Sequence, residues 1–89
     1  MSFIIICYNF SILTLTKNYQ IMPSYYVNTN AQSNGDHEVH KEGCSFMPDL
    51  SHRKYLGSFS TCQEAVREAK KTYSTANGCY YCSKDCHTR

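Results

Sequence analysis

The chain has 89 residues, with nine Lys/Arg against seven Asp/Glu and a formal net charge of +2 at pH 7. This length permits one domain. Because Lys17 is the only basic residue before Met22, residues 22–89 carry a net charge of +1. Such a balance argues against a nucleic-acid or anionic-membrane partner, since both need a basic surface. A chain this small buries little surface, so we expect a metal site or disulfides to stabilise it.

Residues 1–21 differ from the rest and are predicted to be an upstream extension of the reading frame or a disordered N-terminal segment. The run from Phe3 to Leu15 is mostly apolar, but no basic residue precedes it. A secretory signal carries such a charge, and a membrane span needs about 20 predominantly apolar residues. MPSYYVN, starting at Met22, reads like a natural start. One domain is therefore predicted over 22–89, with a cytoplasmic location and no membrane partner; an export or anchor segment is the alternative.

Three short segments have the composition of β-strands. Residues 25–28 (YYVN) are aromatic and β-branched, and residues 38–40 (EVH) are predicted to return antiparallel to them. The turn-rich NAQSNGD between them contains Asn34-Gly35, which is the predicted reversal. Residues 55–59 (YLGSF) form the third predicted strand, and a period of two places its Tyr and Phe on one face.

A helix is predicted to follow the third strand. Ser60-x-x-Gln63 and Thr61-x-x-Glu64 are overlapping capping-box patterns. They precede an apolar stripe at helical spacing: Cys62, Ala65, Val66, Ala69 and Tyr73. Asn77-Gly78 supplies the predicted helix stop. The expected fold is therefore α+β, a small antiparallel sheet of about three strands with one helix packed on it, stabilised by a zinc site.

The zinc prediction depends on two pairs of residues. Cys79-x2-Cys82 puts two thiolates on one tight turn, which suits a tetrahedral Zn²⁺ ion. His40-x3-Cys44 supplies the other two ligands from a separate turn. Packing the helix on the sheet would bring the two pairs together. Thiolate and imidazole ligands favour zinc over Mg²⁺ or Ca²⁺, which prefer oxygen.

Three further residues are alternate ligands, because the chain has more cysteine and histidine than one ion needs: Cys86, His87 and His37. Cys86 has a second interpretation, in which it pairs with Cys62 in another site or a disulfide. Cys62 itself lies on the apolar stripe and is interpreted as a core residue, since free cysteine is commonly buried.

A disulfide framework is the alternative to metal, because the chain has six cysteines. Cys7 lies in the predicted extension, however, which leaves an odd number in the domain. The remaining cysteines also accompany histidines, which disulfide frameworks do not need. Metal is therefore favoured.

Two catalytic interpretations are rejected. His37-Glu38-Val39-His40 resembles the zinc-protease motif, but its histidines are three apart and lie in a strand, on opposite faces. Cys79-x2-Cys82 follows a helix, whereas redox cysteine pairs open one. The chain is therefore predicted not to be an enzyme.

From residue 25 to 88, the segments YYVN, SNGDHEVHKEGC, YLGSFSTCQEAV and NGCYYCSKDCHT resemble a group of short, uncharacterised bacterial proteins. This resemblance implies no activity. The order H-x3-C, EA-containing helix and C-x2-C is also similar to small zinc modules, among them the metal-binding domain of DNA-alkylation-repair methyltransferases. That family uses four cysteines, and the similarity implies His40, Cys44, Cys79 and Cys82 as the ligands here.

Two functions follow from these patterns. The favoured one is a structural zinc module that binds a protein partner, through an aromatic surface formed by Tyr25, Tyr26, Tyr80 and Tyr81. The alternative is a thiol- or metal-reactive protein, such as a metal sensor, zinc carrier or redox switch, because exposed thiolates beside a metal are oxidisable. A disulfide-stapled exported protein is a third hypothesis.

Overall fold

The structure is a computed structural model that describes residues 22–88. The predicted extension, including Cys7, lies outside the described residues. The described elements are four strands and one helix: β1 (Ser24–Asn28), β2 (His37–Lys41), β3 (Arg53–Ser58), α1 (Cys62–Ala69) and β4 (Ala76–Gly78). Two single 3₁₀ turns, Leu50–His52 and Lys84–Cys86, precede β3 and follow β4.

The α+β class predicted from the sequence is confirmed, but the sheet has four strands and is mixed. Its order is β3-β1-β2-β4, with β1 antiparallel to both β2 and β3, and β2 parallel to β4. The predicted antiparallel sheet of three strands omits β4. Helix α1 carries the chain from β3 at one edge to β4 at the other, and such a crossover is how a parallel pair forms.

The β1–β2 hairpin has the predicted position and direction. Tyr26 pairs with His40, and Gly35 turns the chain with φ of 93°. The Gly35 amide donates to the Gln32 carbonyl at 2.8 Å. A positive φ is the conformation that glycine adopts readily, so the Asn34-Gly35 signal was reliable.

The prediction that Tyr55 and Phe59 share one face is wrong because β3 contains a bulge. Tyr26 pairs with Tyr55 and Tyr25 with Gly57, so Leu56 is an extra residue in β3. The bulge reverses the alternation of side chains along the strand. Tyr55 therefore lies beside Tyr26, with ring centroids 5.4 Å apart, and Phe59 lies beside Tyr25 on the other face at 6.3 Å.

Helix α1 begins as predicted and ends early. The Thr61 hydroxyl accepts from the Glu64 amide, and the Glu64 carboxylate accepts from the Thr61 amide, both at 3.3 Å. The helix ends at Ala69, whereas Asn77-Gly78 was the predicted stop. Those two residues lie in β4, where the buried Asn77 side chain donates to the Asp36 carboxylate at 3.1 Å. A contact 41 residues away in sequence thus overrides the local stop signal.

The core lies between α1 and one face of the sheet. Its fully or nearly buried apolar residues are Tyr25, Val27, Val39, Ala65, Ala69 and Ala76. The small side chains on α1 let the helix lie close to the strands. Tyr25 is only 5% exposed, so it does not belong to the exposed aromatic surface predicted from the sequence. Among residues 22–88, no helix is long and apolar enough to cross a membrane.

Thr61→Ala should lower the free energy of unfolding by about 1 kcal/mol, because the Glu64 amide loses its capping acceptor. Urea denaturation followed by circular dichroism measures this change. Thr61→Ser is the matched control, since it keeps the hydroxyl and should retain most of the stability. Equal losses in the two variants would contradict the capping role.

Candidate metal centre

The structure brings together the four residues that the two spacing patterns contain. His40, Cys44, Cys79 and Cys82 each offer one ligand atom, and these atoms all lie within 4.8 Å of one another. His40 and Cys79 are each 1% exposed, whereas Cys44 and Cys82 are half-buried. The cluster can therefore hold a metal ion, with two ligands in the interior and two toward the surface.

The first pair of ligands is placed by β2 and the turn after it. His40 lies in β2, opposite Tyr26 of β1. The Cys44 amide donates to the Lys41 carbonyl at 3.1 Å, which closes a tight turn. Gly43 within this turn has φ of 86°, a conformation that L side chains rarely adopt. This glycine is what lets the chain reverse and return Cys44 to the end of the strand.

The second pair is placed by the parallel pairing of β2 and β4. Gly78, the last residue of β4, pairs with Val39, and the next amide, that of Cys79, donates to the Val39 carbonyl at 2.9 Å. This hydrogen bond fixes Cys79 beside β2, one residue from His40. The Ser83 amide then donates to the Cys79 carbonyl at 2.9 Å and folds Cys82 back toward the cluster.

Backbone amides approach two of the three sulfurs. The Tyr81 amide donates to Cys79 Sγ at 3.4 Å, and the Lys41 amide donates to Cys82 Sγ at 3.3 Å. Hydrogen bonds to a sulfur favour its thiolate form. These amides therefore stabilise the charged state in which cysteine binds metal.

The separations between ligand atoms fit a tetrahedral ion. Cys44 Sγ lies 3.9 Å from Cys79 Sγ, and Cys82 Sγ lies 3.8 Å from His40 Nδ1. With zinc–sulfur bonds of about 2.3 Å, two sulfurs at the corners of a tetrahedron are about 3.8 Å apart. The cluster therefore needs little rearrangement to accept one ion.

The His40 ring has a defined orientation. Its Nδ1 faces the Cys82 sulfur, and its Nε2 lies 3.6 Å from the Glu38 carboxylate. A carboxylate on the far nitrogen of a ligand histidine commonly fixes the ring in metal sites. Burial also lowers the pKa of His40, which keeps the imidazole in the neutral form that binds metal.

Burial opposes ionisation of the thiols while no cation is present. It raises the pKa of Cys79, and it raises the pKa of Cys82 to about 12 with help from the neighbouring Cys44. Both thiols are thus protonated at pH 7 in the metal-free protein. A divalent cation reverses this preference, since it supplies the positive charge that closely spaced thiolates need.

The alternate ligands lie outside the cluster. Cys86 forms a disulfide with Cys62. The His87 Nδ1 lies 3.0 Å from the Gly78 carbonyl, and the His37 Nδ1 lies 2.9 Å from the Asn28 carbonyl, with the His37 ring stacked on Tyr73. His37 and His40 therefore point to opposite faces, as the strand alternation predicts.

The interpretation of Cys62 as a free core cysteine is wrong. It packs beside the core, but its sulfur is bonded to Cys86, which is 24 residues away in sequence. The sequence presents metal and disulfide as alternatives, yet the described residues contain both a disulfide and a cluster of three free cysteines with one histidine. The disulfide with Cys62 is the second interpretation of Cys86 that the sequence offers, and the structure shows it, because α1 packs against the C-terminal turn (residues 79–86).

Three exposed rings lie on the turns that carry the cysteine ligands, and we name them the aromatic patch: Phe46, Tyr80 and Tyr81, which are 54%, 49% and 66% exposed. Phe46 stacks on Tyr81 with centroids 4.3 Å apart, and Tyr80 meets Tyr81 edge-on at 5.1 Å. The sequence analysis predicted Tyr80 and Tyr81 but missed Phe46. Because Phe46 follows Cys44 by two residues, its position beside a ligand could have predicted that it lies near the other rings.

Comparison of the chain with protein-family models, curated proteins and solved structures finds no match. The resemblances drawn from the sequence therefore stay predictions. The site is interpreted from its own geometry.

Metal affinity should rise steeply with pH, because Cys79 and Cys82 are protonated at neutral pH and must lose their protons to bind. At least two protons should leave per ion, which corresponds to about a 100-fold gain in affinity per pH unit between pH 6 and 8. Calorimetric titration with zinc in buffers of different ionisation enthalpy counts these protons. An affinity that does not change with pH would contradict thiolate ligation.

Proposed function

We propose that this chain is a zinc-binding module in which the metal is structural and the activity is binding of a partner, without catalysis. The observation that carries the proposal is the convergence of four ligand atoms within 4.8 Å of one another. Four protein ligands fill a tetrahedral shell, whereas catalytic zinc keeps one position for water or substrate. A filled shell suits a metal that holds the fold together.

The chemistry of the ligands supports zinc. Three sulfurs and one imidazole nitrogen are a common structural zinc set, and hard ions such as Mg²⁺ and Ca²⁺ prefer oxygen. Iron–sulfur clusters usually take four cysteines, and this cluster offers three. One Zn²⁺ with three thiolates carries a net charge of −1, which the Lys41 and Tyr81 amides partly offset.

The position of the cluster supports a structural role. The ion would join the end of β2 to the chain that follows β4, so two segments about 35 residues apart would be cross-linked. The apolar core is small and is built largely from alanine and valine. In small domains of this kind, metal binding supplies much of the folding free energy.

The aromatic patch supports a partner-binding activity. Its rings lie on the two ligand-bearing turns, so a metal that joins the turns would also hold the rings in one arrangement. Exposed aromatic residues are enriched in protein interfaces. A protein partner is favoured over nucleic acid, since the domain is nearly neutral in charge.

Native mass spectrometry of the purified chain should show one zinc ion per molecule. Cys79→Ser removes a buried ligand and should weaken zinc binding by more than the roughly 10- to 100-fold loss that an outer-shell partner causes. His87→Gln is the matched control, because His87 lies outside the cluster, and it should keep one zinc. Equal zinc binding in the two variants, or a metal-free protein with an unchanged fold, would contradict the proposal.

The aromatic patch should contribute little to stability. Phe46→Ser combined with Tyr81→Ser should lower the free energy of unfolding by at most about 1.5 kcal/mol, the usual value of one ring pair, and should leave the zinc content unchanged. Tyr25→Ala is the control, because that ring is 5% exposed and its loss should cost about 3–5 kcal/mol. If the patch variant lost as much unfolding free energy as Tyr25→Ala, the rings of the aromatic patch would be needed for folding, which would contradict a partner-binding role.

A further inference from the structure

An open groove lies between the start of α1 and the C-terminal turn. Its volume is about 390 Å³, within the range of about 300–1,000 Å³ that is usual for small-molecule sites. One side is formed by residues 60–63 and the other by residues 81–85. Two lysines, Lys41 and Lys84, line the groove together with one carboxylate, that of Asp85. These three side chains together contribute one net positive charge to the groove.

Only one of the two cysteines in the Cys62–Cys86 disulfide lines this groove. Cys62 lines the groove and is half-buried, whereas Cys86 is not among the lining residues and is only 8% exposed. Cys86 packs against the Gly78 backbone so closely that a Cβ added at Gly78 would lie 2.7 Å from the Cys86 Cβ. Of the two cysteines in the disulfide, only Cys62 therefore lines the groove, and a nucleophile that enters the groove would meet this residue first.

The surroundings of Cys62 also suit a thiolate. Cys62 is the first residue of α1, where the helix dipole and unpaired amides favour negative charge. The two groove lysines attract an incoming anion. Once reduced, Cys62 would thus be the more stable thiolate of the pair and Cys86 the buried partner that re-forms the disulfide.

We propose that the Cys62–Cys86 disulfide is a thiol–disulfide exchange site for a small thiol that carries carboxylate groups and enters through the groove. The inference goes beyond the proposed zinc module and does not depend on it. For the cytoplasmic location predicted from the sequence, an exchangeable disulfide is expected, since disulfides in that compartment are usually transient, catalytic or redox-sensing.

The exchange has two balanced steps. The thiolate of the small thiol attacks Cys62 Sγ and forms a mixed disulfide, while the Cys62–Cys86 bond breaks and Cys86 leaves as a thiolate that takes a proton from water. A second small thiolate then attacks the sulfur of the first one. This releases Cys62 as a thiolate and yields an oxidised disulfide of the small thiol. The protein disulfide gains the two electrons that the two small thiols lose.

Reduced glutathione is the probe, added to the zinc-loaded full-length chain in a Cys7→Ser background. After quenching with acid and alkylation, peptide mapping by mass spectrometry should find the glutathione adduct on Cys62 and none on Cys86. The single-cysteine variants have no disulfide to attack, so they are treated with oxidised glutathione, which forms the mixed disulfide with the protein thiol and releases one reduced glutathione. Cys86→Ser should then accumulate the Cys62 adduct. In Cys62→Ser, where the remaining buried thiol is shielded, the adduct should form at least about tenfold more slowly.

Two outcomes would overturn the proposal. One is an adduct on Cys86. The other is a wild-type disulfide that is reduced only at the rate of global unfolding, which is the behaviour of a purely structural disulfide. Because the adduct is mapped on a chain that keeps both Cys62 and Cys86, this test does not depend on whether the Cys62 and Cys86 variants fold. Zinc content measured in the same samples separates the two proposals, because exchange can fail while zinc stays bound.

The preference for a carboxylate-bearing thiol has its own test. At equal thiolate concentration and low salt, glutathione should react several-fold faster than the neutral thiol 2-mercaptoethanol, and added salt should reduce the difference. The double variant Lys41→Gln, Lys84→Gln should lose the preference. Equal rates for the two thiols on the wild-type chain would overturn this part of the proposal.

Discussion

The parallel pairing of β4 with β2 is the constraint on which the rest of the molecule depends. It places Gly78 opposite Val39 and makes the Cys79 amide donate to the Val39 carbonyl at 2.9 Å. At Gly78 the backbone passes so close to the C-terminal turn that a Cβ would lie 2.6 Å from the Ser83 carbonyl oxygen and 2.7 Å from the Cys86 Cβ. Glycine at this position is therefore a steric requirement. The same close approach brings Cys79 to the candidate metal cluster and packs Cys86 against the backbone of β4.

Within eight residues, the C-terminal segment carries one cysteine of the disulfide and two residues of the candidate metal cluster. Cys79 and Cys82 face the cluster with His40 and Cys44, whereas Cys86 is bonded to the first residue of α1. The disulfide joins the segment to the helix, and an ion bound in the cluster would join it to β2 and the turn that follows β2. Both links would stabilise a domain whose core of alanine, valine and tyrosine is small.

The features that depend on residues close together in sequence were predicted correctly from the sequence. The ligand pairs His40-x3-Cys44 and Cys79-x2-Cys82, the Asn34-Gly35 turn and the Thr61 capping box all depend on residues within four positions of one another, and each lies where the sequence placed it. The features that sequence reasoning missed or left open depend on distant contacts. Asn77 enters β4 because its side chain binds Asp36, and the face of Tyr55 is reversed by a bulge against β1. The Cys62–Cys86 disulfide, one of two interpretations of Cys86, forms only when α1 packs. No window of neighbouring residues contains these partners.

The groove beside the Cys62–Cys86 disulfide connects the proposed zinc site with the proposed exchange site. Cys62 and Cys82 both line it, so a reactive Cys82 thiolate would compete with any small thiol for the disulfide. Zinc would prevent this competition, because the bound ion shares the thiolate charge and the Lys41 amide takes up one of the remaining lone pairs of the sulfur. Without metal, burial keeps Cys82 protonated at pH 7, which also suppresses attack. Cys82 is therefore unreactive in either state, and Cys62 is the cysteine of the groove that remains open to attack.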